Sequence, residues 1–299
     1  MPEVAILRAH LEQPLPEALR LRVPPIQDVD RAAFLRPPLL DVDLALAGLV
    51  SRGHWPSLDE LEGLRCTATA RDGVARPRFV AQDAELLADG LHYEERIRLG
   101  RLSTRERNWH DLFNALVWLR WPRTKRALNL RQCEDIASIG KRQRTRGQCA
   151  LTHFDEAGAV VLCSDPRLVE LWDRHDWKSL FHAHADTWGR SIRVHVFGHA
   201  LLELALDPAR YLVAKAVLLM TDDVANLATD AESLSRIDRC LAQRIEGRSL
   251  LLDPQHLRPL PLSGVPGWHV QGGSEDFFDA APCFRPLRAG RLYPPADRF

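Results

Sequence analysis

The stretch TRERNWHDLFNALVWLRWPRTKRALN, residues 104–129, decides how this chain is read. Trp109, Leu112, Phe113, Leu116, Val117 and Arg120 recur at i, i+3 and i+4, which predicts an amphipathic helix with Thr104 as its N-cap. Pro122 ends that helix and can open another, which carries Lys125, Leu128 and Asn129. His110, Asp111 and Asn114 lie among large aromatic side chains, so chemically capable groups share one segment with the means to exclude water.

Working outward, the chain has 299 residues, enough for one large core or two modest ones. It is 45% hydrophobic and 27% charged, with a net charge of zero. That composition belongs to a globular protein rather than a disordered one, and no global field draws it to nucleic acid or an anionic membrane. The charge is uneven. Residues 101–146 hold twelve Lys and Arg against four Asp and Glu, which reads as a solvated face or as an anion site. The longest apolar run, Tyr211 to Met220, contains Lys215 and is far short of the ~20 residues a membrane span needs. Arg8 and His10 interrupt the N-terminus, so a secretory signal is not expected. Six cysteines without a CxxC pair argue against a disulfide framework or thiolate zinc site and fit a reducing cytoplasm.

Residues 1–56 are broken by prolines and read as a wrap of short helices. Residues 57–250 read as an α+β core, mainly helical around a small antiparallel or mixed sheet. Residues 251–299 read as an irregular tail, rich in proline and aromatics, packed on that core. Within this single domain, Ser57 to Glu60 has capping-box spacing and opens a helix toward Cys66. A strand is expected at 77–80 and a helix from Ala81 to Leu99. Residues 148–154 and 159–163 read as a hairpin around Asp155-Glu156-Ala157-Gly158. A helix from Pro166 to His175 follows, then a half-buried strand from Ser191 to Phe197, and Gly198 hands over to a helix starting near His199. Asp207-Pro208 signals a further helix. Thr229 to Glu232 forms another capping box, before a helix ending at Gly247.

Two pairs carry the candidate chemistry. His110 and Asn114 share a helical face beside Asp111, and His199 and Glu203 have the same four-residue spacing. A His at a helix N-terminus is kept neutral by the dipole and so stays available as ligand or base. The sequence reading therefore takes His110, Asp111, His199 and Glu203 as catalytic, with His110, Asp155, His199 and Glu203 as ligands of a divalent metal. Arg105, Asn114, Lys125 and Asn129 are read as binding an anionic substrate. The competing reading of each pair is a polar network or cap that only anchors its helix. His182 and His184, two apart on an expected helix, point away from each other. No P-loop, GxGxxG, GxSxG or Cys–His nucleophile pattern is present.

With these residues named, the chain resembles a bacterial family known as a domain of unknown function, numbered 3025. The resemblance rests on Tyr93-Glu94 with Ile97, on Gly100, on Thr104-Arg105 and on Asn108 through Trp118. It continues with Pro122, Lys125 and Leu128-Asn129, then Leu151-Thr152, Phe154-Asp155-Glu156 and Gly158. Phe197-Gly198-His199-Ala200-Leu201 with Glu203, Val265 to Trp268 and Phe284 to Pro286 complete it. The family implies no activity; it singles out residues without giving them roles. Two functions are carried forward. One is a metal-assisted hydrolase of a small anionic substrate, such as a phosphoester. The other is a non-catalytic protein binding a small anion or a protein partner.

Overall fold

The computed structural model describes residues 33–34, 36–39, 54–222, 224–225, 227 and 231–299. Most of the expected N-terminal wrap, and Thr229 and Asp230 of the second capping box, lie outside them. Helix α1, Leu58–Asp72, opens on the expected box: Glu60 N donates to Ser57 Oγ at 3.2 Å and Ser57 N to Glu60 Oε2 at 2.8 Å. Strand β1, Arg78–Ala81, pairs in parallel with β2, Arg101–Thr104. The expected helix from Ala81 to Leu99 is instead two short pieces, α2 at Ala84–Leu87 and α3 at Tyr93–Arg98, each with its own side-chain cap. Gly90, at φ +65°, supplies the turn between them. Thr104 is not a helix cap but the last residue of β2. The cap is Asn108, whose Oδ1 accepts from Asp111 N at 3.0 Å.

Helix α4, Trp109–Arg120, buries Trp109, Leu112, Phe113, Leu116 and Val117 as the spacing predicts. At Trp121 the chain turns, and α5, Pro122–Ile139, begins with proline in its first turn. The free amides of α5 are satisfied from afar. Buried Asp238 of α9, Ala231–Glu246, accepts from Arg123 N at 3.0 Å and Thr124 N at 2.8 Å. This long-range cap fixes the direction in which α5 presents Lys125 and Asn129.

The predicted hairpin is absent. Residues 148–154 lie in helix α6, Arg146–Ala157, so Asp155 and Glu156 occupy its last turn. A second capping box explains the difference: Thr145 and Gln148 exchange backbone-to-side-chain bonds of 2.9 Å each. Only one strand follows, β3, Gly158–Cys163, buried along its whole length. After α7, Pro166–Asp173, comes β4, Ile192–Val196, antiparallel to β3, and then α8, His199–Leu204. The half-buried alternation expected of β4 fails at His195, which is buried. Asp207-Pro208 opens no helix. Asp207 Oδ1 accepts from Ala209 N at 3.0 Å in a tight turn, and the chain enters β5, Val213–Met220. Strand β5 is central: parallel to β3 on one side, and on the other antiparallel to β6, Arg258–Pro261, and parallel to β7, Asp297–Arg298. The tail is otherwise mostly irregular, with α10, Glu275–Ala280, burying Phe277 and Phe278. The fold is thus α+β with a small mixed sheet. No described helix is long and apolar enough to cross a membrane.

Two glycines lock the sheet to the helices that follow it. Phe197 N and Gly198 N both donate to Gly158 O, at 2.9 and 2.8 Å. A Cβ on Gly198 would lie 2.5 Å from Ala157 Cα and Gly158 N, and one on Gly158 would lie 2.2 Å from Phe154 O. Neither position has room for a side chain. Gly198→Ala is therefore expected to lower the melting temperature by about 5 °C or more, because a rigid core relaxes only partially around an added methyl. Thermal unfolding followed by circular dichroism reads this directly; an unchanged melting curve would refute the packing argument.

His195 makes a second prediction. Both ring nitrogens are buried without hydrogen-bond partners, the ring sits edge-on to Trp121, and burial, aided by Arg120 and Arg193, lowers its pKa to about 3. The unfolded chain binds this proton near pH 6.5, so between about 6.5 and 3 it holds more protons than the fold and stability falls as pH falls. His195→Leu, similar in volume, is expected to narrow the gap between melting temperatures at pH 7.5 and 5.0. An equal gap in both proteins would show that this ring does not drive the acid sensitivity.

Candidate functional site

The junction of α6 with β3 and that of β4 with α8 touch through Gly158 and Gly198, and this sets the site. It brings the end of α6, with Asp155 and Glu156, beside the first residue of α8, His199. The start of α4 packs against α8 and supplies His110 from 89 residues earlier in the chain. His110 Nε2 lies 3.0 Å from His199 Nε2, and His199 Nε2 lies 3.5 Å from Glu156 Oε2. On its other side, His110 Nδ1 meets Glu203 Oε2 at 3.2 Å. A carboxylate facing Nδ1 holds the proton there, which leaves the Nε2 lone pair of a neutral ring turned toward His199.

The two imidazoles differ in character. His199 is 3% exposed, and burial lowers its pKa to about 3. The Asp155 backbone carbonyl is close enough to favour a proton on it, yet Nδ1 has no hydrogen bond of ordinary geometry. His199 is therefore a neutral ring throughout the physiological range. His110 is half-buried, and the Glu203 hydrogen bond raises its pKa against the cost of burial. Burial also raises Glu156, and the Asp155 charge adds to the effect.

A cavity of about 490 Å³ adjoins this cluster, lined among others by His110, Asp155, Glu156 and His199. Its far wall is a buried polar chain. Lys125 Nζ donates to Asp155 Oδ1 at 2.5 Å and to Asn114 Oδ1 at 2.8 Å, and Asn114 Nδ2 donates to the Tyr93 hydroxyl at 2.9 Å. Asn129 Nδ2 donates to Glu94 Oε2 at 2.7 Å. Burial pushes Asp155 up, but Lys125 outweighs it and the carboxylate stays below its usual range. Burial lifts Glu94 to about 7, so near neutral pH it exchanges its proton readily. The Tyr93 hydroxyl, pointing inward although the ring is 37% exposed, is held protonated by burial.

Each residue singled out by sequence has a definite place here. His110 and His199 meet, but Asp155 and Glu203 do not join them in one ligand set. Among the described residues, the group able to hold an ion is His110, Glu156 and His199, whose candidate ligand atoms lie within 4.8 Å of one another. Asp155 is committed to Lys125, and Glu203 stands behind His110. Arg105 and Asp111 form a bidentate pair at 2.9 Å that also ties Arg105 N to Asp111 Oδ2 at 2.7 Å. The two cations expected to meet an anion, Arg105 and Lys125, are thus already paired. Arg144, exposed and lining the same cavity, forms no ion pair among the described residues, although its charge acts on Glu94. Glu156, Arg144 and Glu94 were missed as site residues. Reading residues 146–157 as a helix would have placed Glu156 one turn from Thr152 on the cavity side; Glu94 and Glu156 both stand in the segments that carry the family resemblance, and that was the signal available for them.

The ion pair in the cavity wall is expected to matter for stability. Lys125→Met leaves the Asp155 carboxylate without its cation, and loss of about 2–3 kcal/mol is expected, below the 3–5 kcal/mol of a fully buried pair because Asp155 keeps some contact with solvent. Lys125→Met with Asp155→Asn should recover part of it. Denaturant unfolding of the single and double variants checks this; no recovery would mean the pair is not the source.

No curated protein and no solved structure matches the chain. The segment that does find a match, residues 77–288, carries the whole cluster just described, from Glu94 to Glu203. By that match the chain belongs to the family described as Protein of unknown function (DUF3025).

Proposed function

We propose that this protein is a metal-assisted hydrolase whose divalent ion is held by His110, Glu156 and His199, acting on a small anionic substrate of the phosphoester class. The observation that carries this is the convergence of three ligand atoms within 4.8 Å at the wall of a solvent-reachable cavity. Ligands at 2.0–2.1 Å around a tetrahedral ion stand about 3.3 Å apart, so the 3.0 Å approach of the two Nε2 atoms needs only a slight opening to admit one. A zinc ion held by these three residues would supply a bound water made acidic enough to ionise near neutral pH. The remaining roles fall to this chain's own groups. Glu203 orients His110, as carboxylates behind metal-bound imidazoles do. Neutral His199 offers its lone pair without having to lose a proton. Arg144, exposed on the cavity lining, attracts the anion, and Glu94, poised near 7, can give a proton to a leaving oxygen.

The test is direct. Zn²⁺, Mn²⁺ and Mg²⁺ are titrated into chelator-treated protein while melting temperature is followed, and the loaded protein is assayed with a chromogenic phosphomonoester and diester. At least one ion is expected to raise the melting temperature and support turnover. His199→Asn and Glu156→Gln should abolish both, and Glu203→Gln should weaken metal affinity about 10–100-fold. No shift with any of the three ions would sink the proposal.

A second reading has one observation of its own. The 3.0 Å contact between the two imidazoles is also a hydrogen bond in which one ring donates to the other, and the Arg105–Asp111 and Lys125–Asp155 pairs leave little unpaired charge. That arrangement supports a non-catalytic protein in which the cluster only anchors its helices, any anion or partner binding elsewhere on the basic stretch of residues 101–146. It predicts that His199→Asn lowers the melting temperature and changes nothing else.

A further inference from the structure

A larger cavity than the one beside the histidines lies elsewhere in the molecule. A groove of about 1070 Å³ opens where β5 and β6 meet the chain at 282–293. It shares helix α6 with the first cavity. Gln148, Leu151, Thr152, Asp155 and Glu156 line the first, on one helical face, whereas His153 lines the second. The groove is lined, among others, by Lys215, Arg285, Arg288, Arg291, His153 and His175, and among the described residues by no Asp or Glu.

Lys215 is the key group. It interrupts the apolar run of the central strand β5, is half-buried, and its ammonium has no ion pair or hydrogen bond among the described residues. Burial lowers its pKa, and the charges of Arg288 and Arg291 lower it further; Lys215 in turn depresses His153. Carboxylates nearby are already committed. Asp173 takes Arg258 at 2.6 Å, and Asp253 takes Arg146. Arg291 is held in place by stacking on Tyr293 at 4.6 Å and by donating to the Gln255 carbonyl. Tyr293 is itself anchored to His175 by a 2.9 Å hydrogen bond. A desolvated cation facing two further cations is costly unless something anionic completes the set.

We propose that this groove is a binding site for a small oligophosphate, with Lys215, Arg288 and Arg291 as its anchors. Three unpaired cations match the charge of two or three linked phosphates better than that of one. Guanidinium forks bind phosphate oxygens in pairs, and the ammonium serves as a point charge. The same chemistry is offered by an inorganic oligophosphate and by the phosphate arm of a nucleoside triphosphate. The site is independent of the proposed hydrolytic centre, since the cations involved line only the second cavity.

Calorimetric titration of the whole, metal-free protein in chelator with tripolyphosphate and with ATP tests the assignment. Saturable binding of either is expected, the tighter one identifying the source. Arg288→Ala and Lys215→Met should each weaken it at least about tenfold, the loss of one charge-assisted contact. His199→Asn should bind as the wild type does. Ligand-free Lys215→Met should melt higher than wild type, because an uncompensated cation has gone; this readout holds even if Arg288, exposed on its loop, contributes little. The assignment is overturned if neither probe binds at millimolar concentration, if both variants bind unchanged, or if binding disappears in His199→Asn. It is also overturned if a single-stranded oligonucleotide binds far more tightly than either small probe, since the groove would then be a nucleic-acid surface.

Discussion

The site depends on a close backbone contact between two glycines, neither of which has space for a side chain. The Gly158 carbonyl accepts from two successive amides at the end of β4, and Gly198 lies against the Ala157–Gly158 backbone at a separation no Cβ could tolerate. Because these junctions are also where α6 ends and α8 begins, the contact sets the position of every group that follows. The last turn of α6 delivers Asp155 and Glu156; the first turn of α8 delivers His199. A helix lever of one or two turns converts small errors at its root into ångström-scale errors at its side chains, so a tight root is what holds three ligand atoms within a few ångströms.

Around that root, the balance of burial and charge separates groups that look alike in the sequence. Two histidines a hydrogen bond apart end with opposite tendencies. His199, sealed in packing, stays neutral, whereas His110 is partly wet and backed by Glu203, which favours its proton. Two adjacent carboxylates also diverge. Asp155 is kept ionised by Lys125, while Glu156 is pushed up by burial and, after that, by the Asp155 charge beside it. Divergence of this kind within one cavity is how a protein assigns acid, base and ligand roles to ordinary side chains. The groove on the other side of α6 shows the converse, in which like charges gather without compensation.

How much of this was legible varied by element. The helix at 58–72 declared itself through its capping box, that at 109–120 through a 3.6-residue apolar stripe though not its cap, and that at 122–139 through its proline, because those signals are local. The strand at 159–163 was legible as a short apolar run. Its expected hairpin partner was not a strand: Leu151 and Phe154 fit either period, and the capping box of Thr145 and Gln148 decided for helix. The β5 strand was obscured by Asp207-Pro208, since the same side-chain acceptor that caps a helix also closes a tight turn. Each ambiguity was settled by what the segment packs against, and that information is not local.

The sequence by itself determined the breaks at Pro122 and Gly198 and the apolar face of the helix at 109–120, and with them that His199 opens a helix and that His110 rides on another. Those preferences arise from backbone hydrogen bonding within a few residues. Only the tertiary structure decided that these two rings, 89 residues apart, meet edge to edge. It likewise decided that Glu156 rather than Asp155 completes the group, and that Lys215 faces two arginines in place of a carboxylate. Such outcomes depend on which charges share a dielectric environment and on how closely two backbones approach, quantities that exist only once the chain has folded on itself.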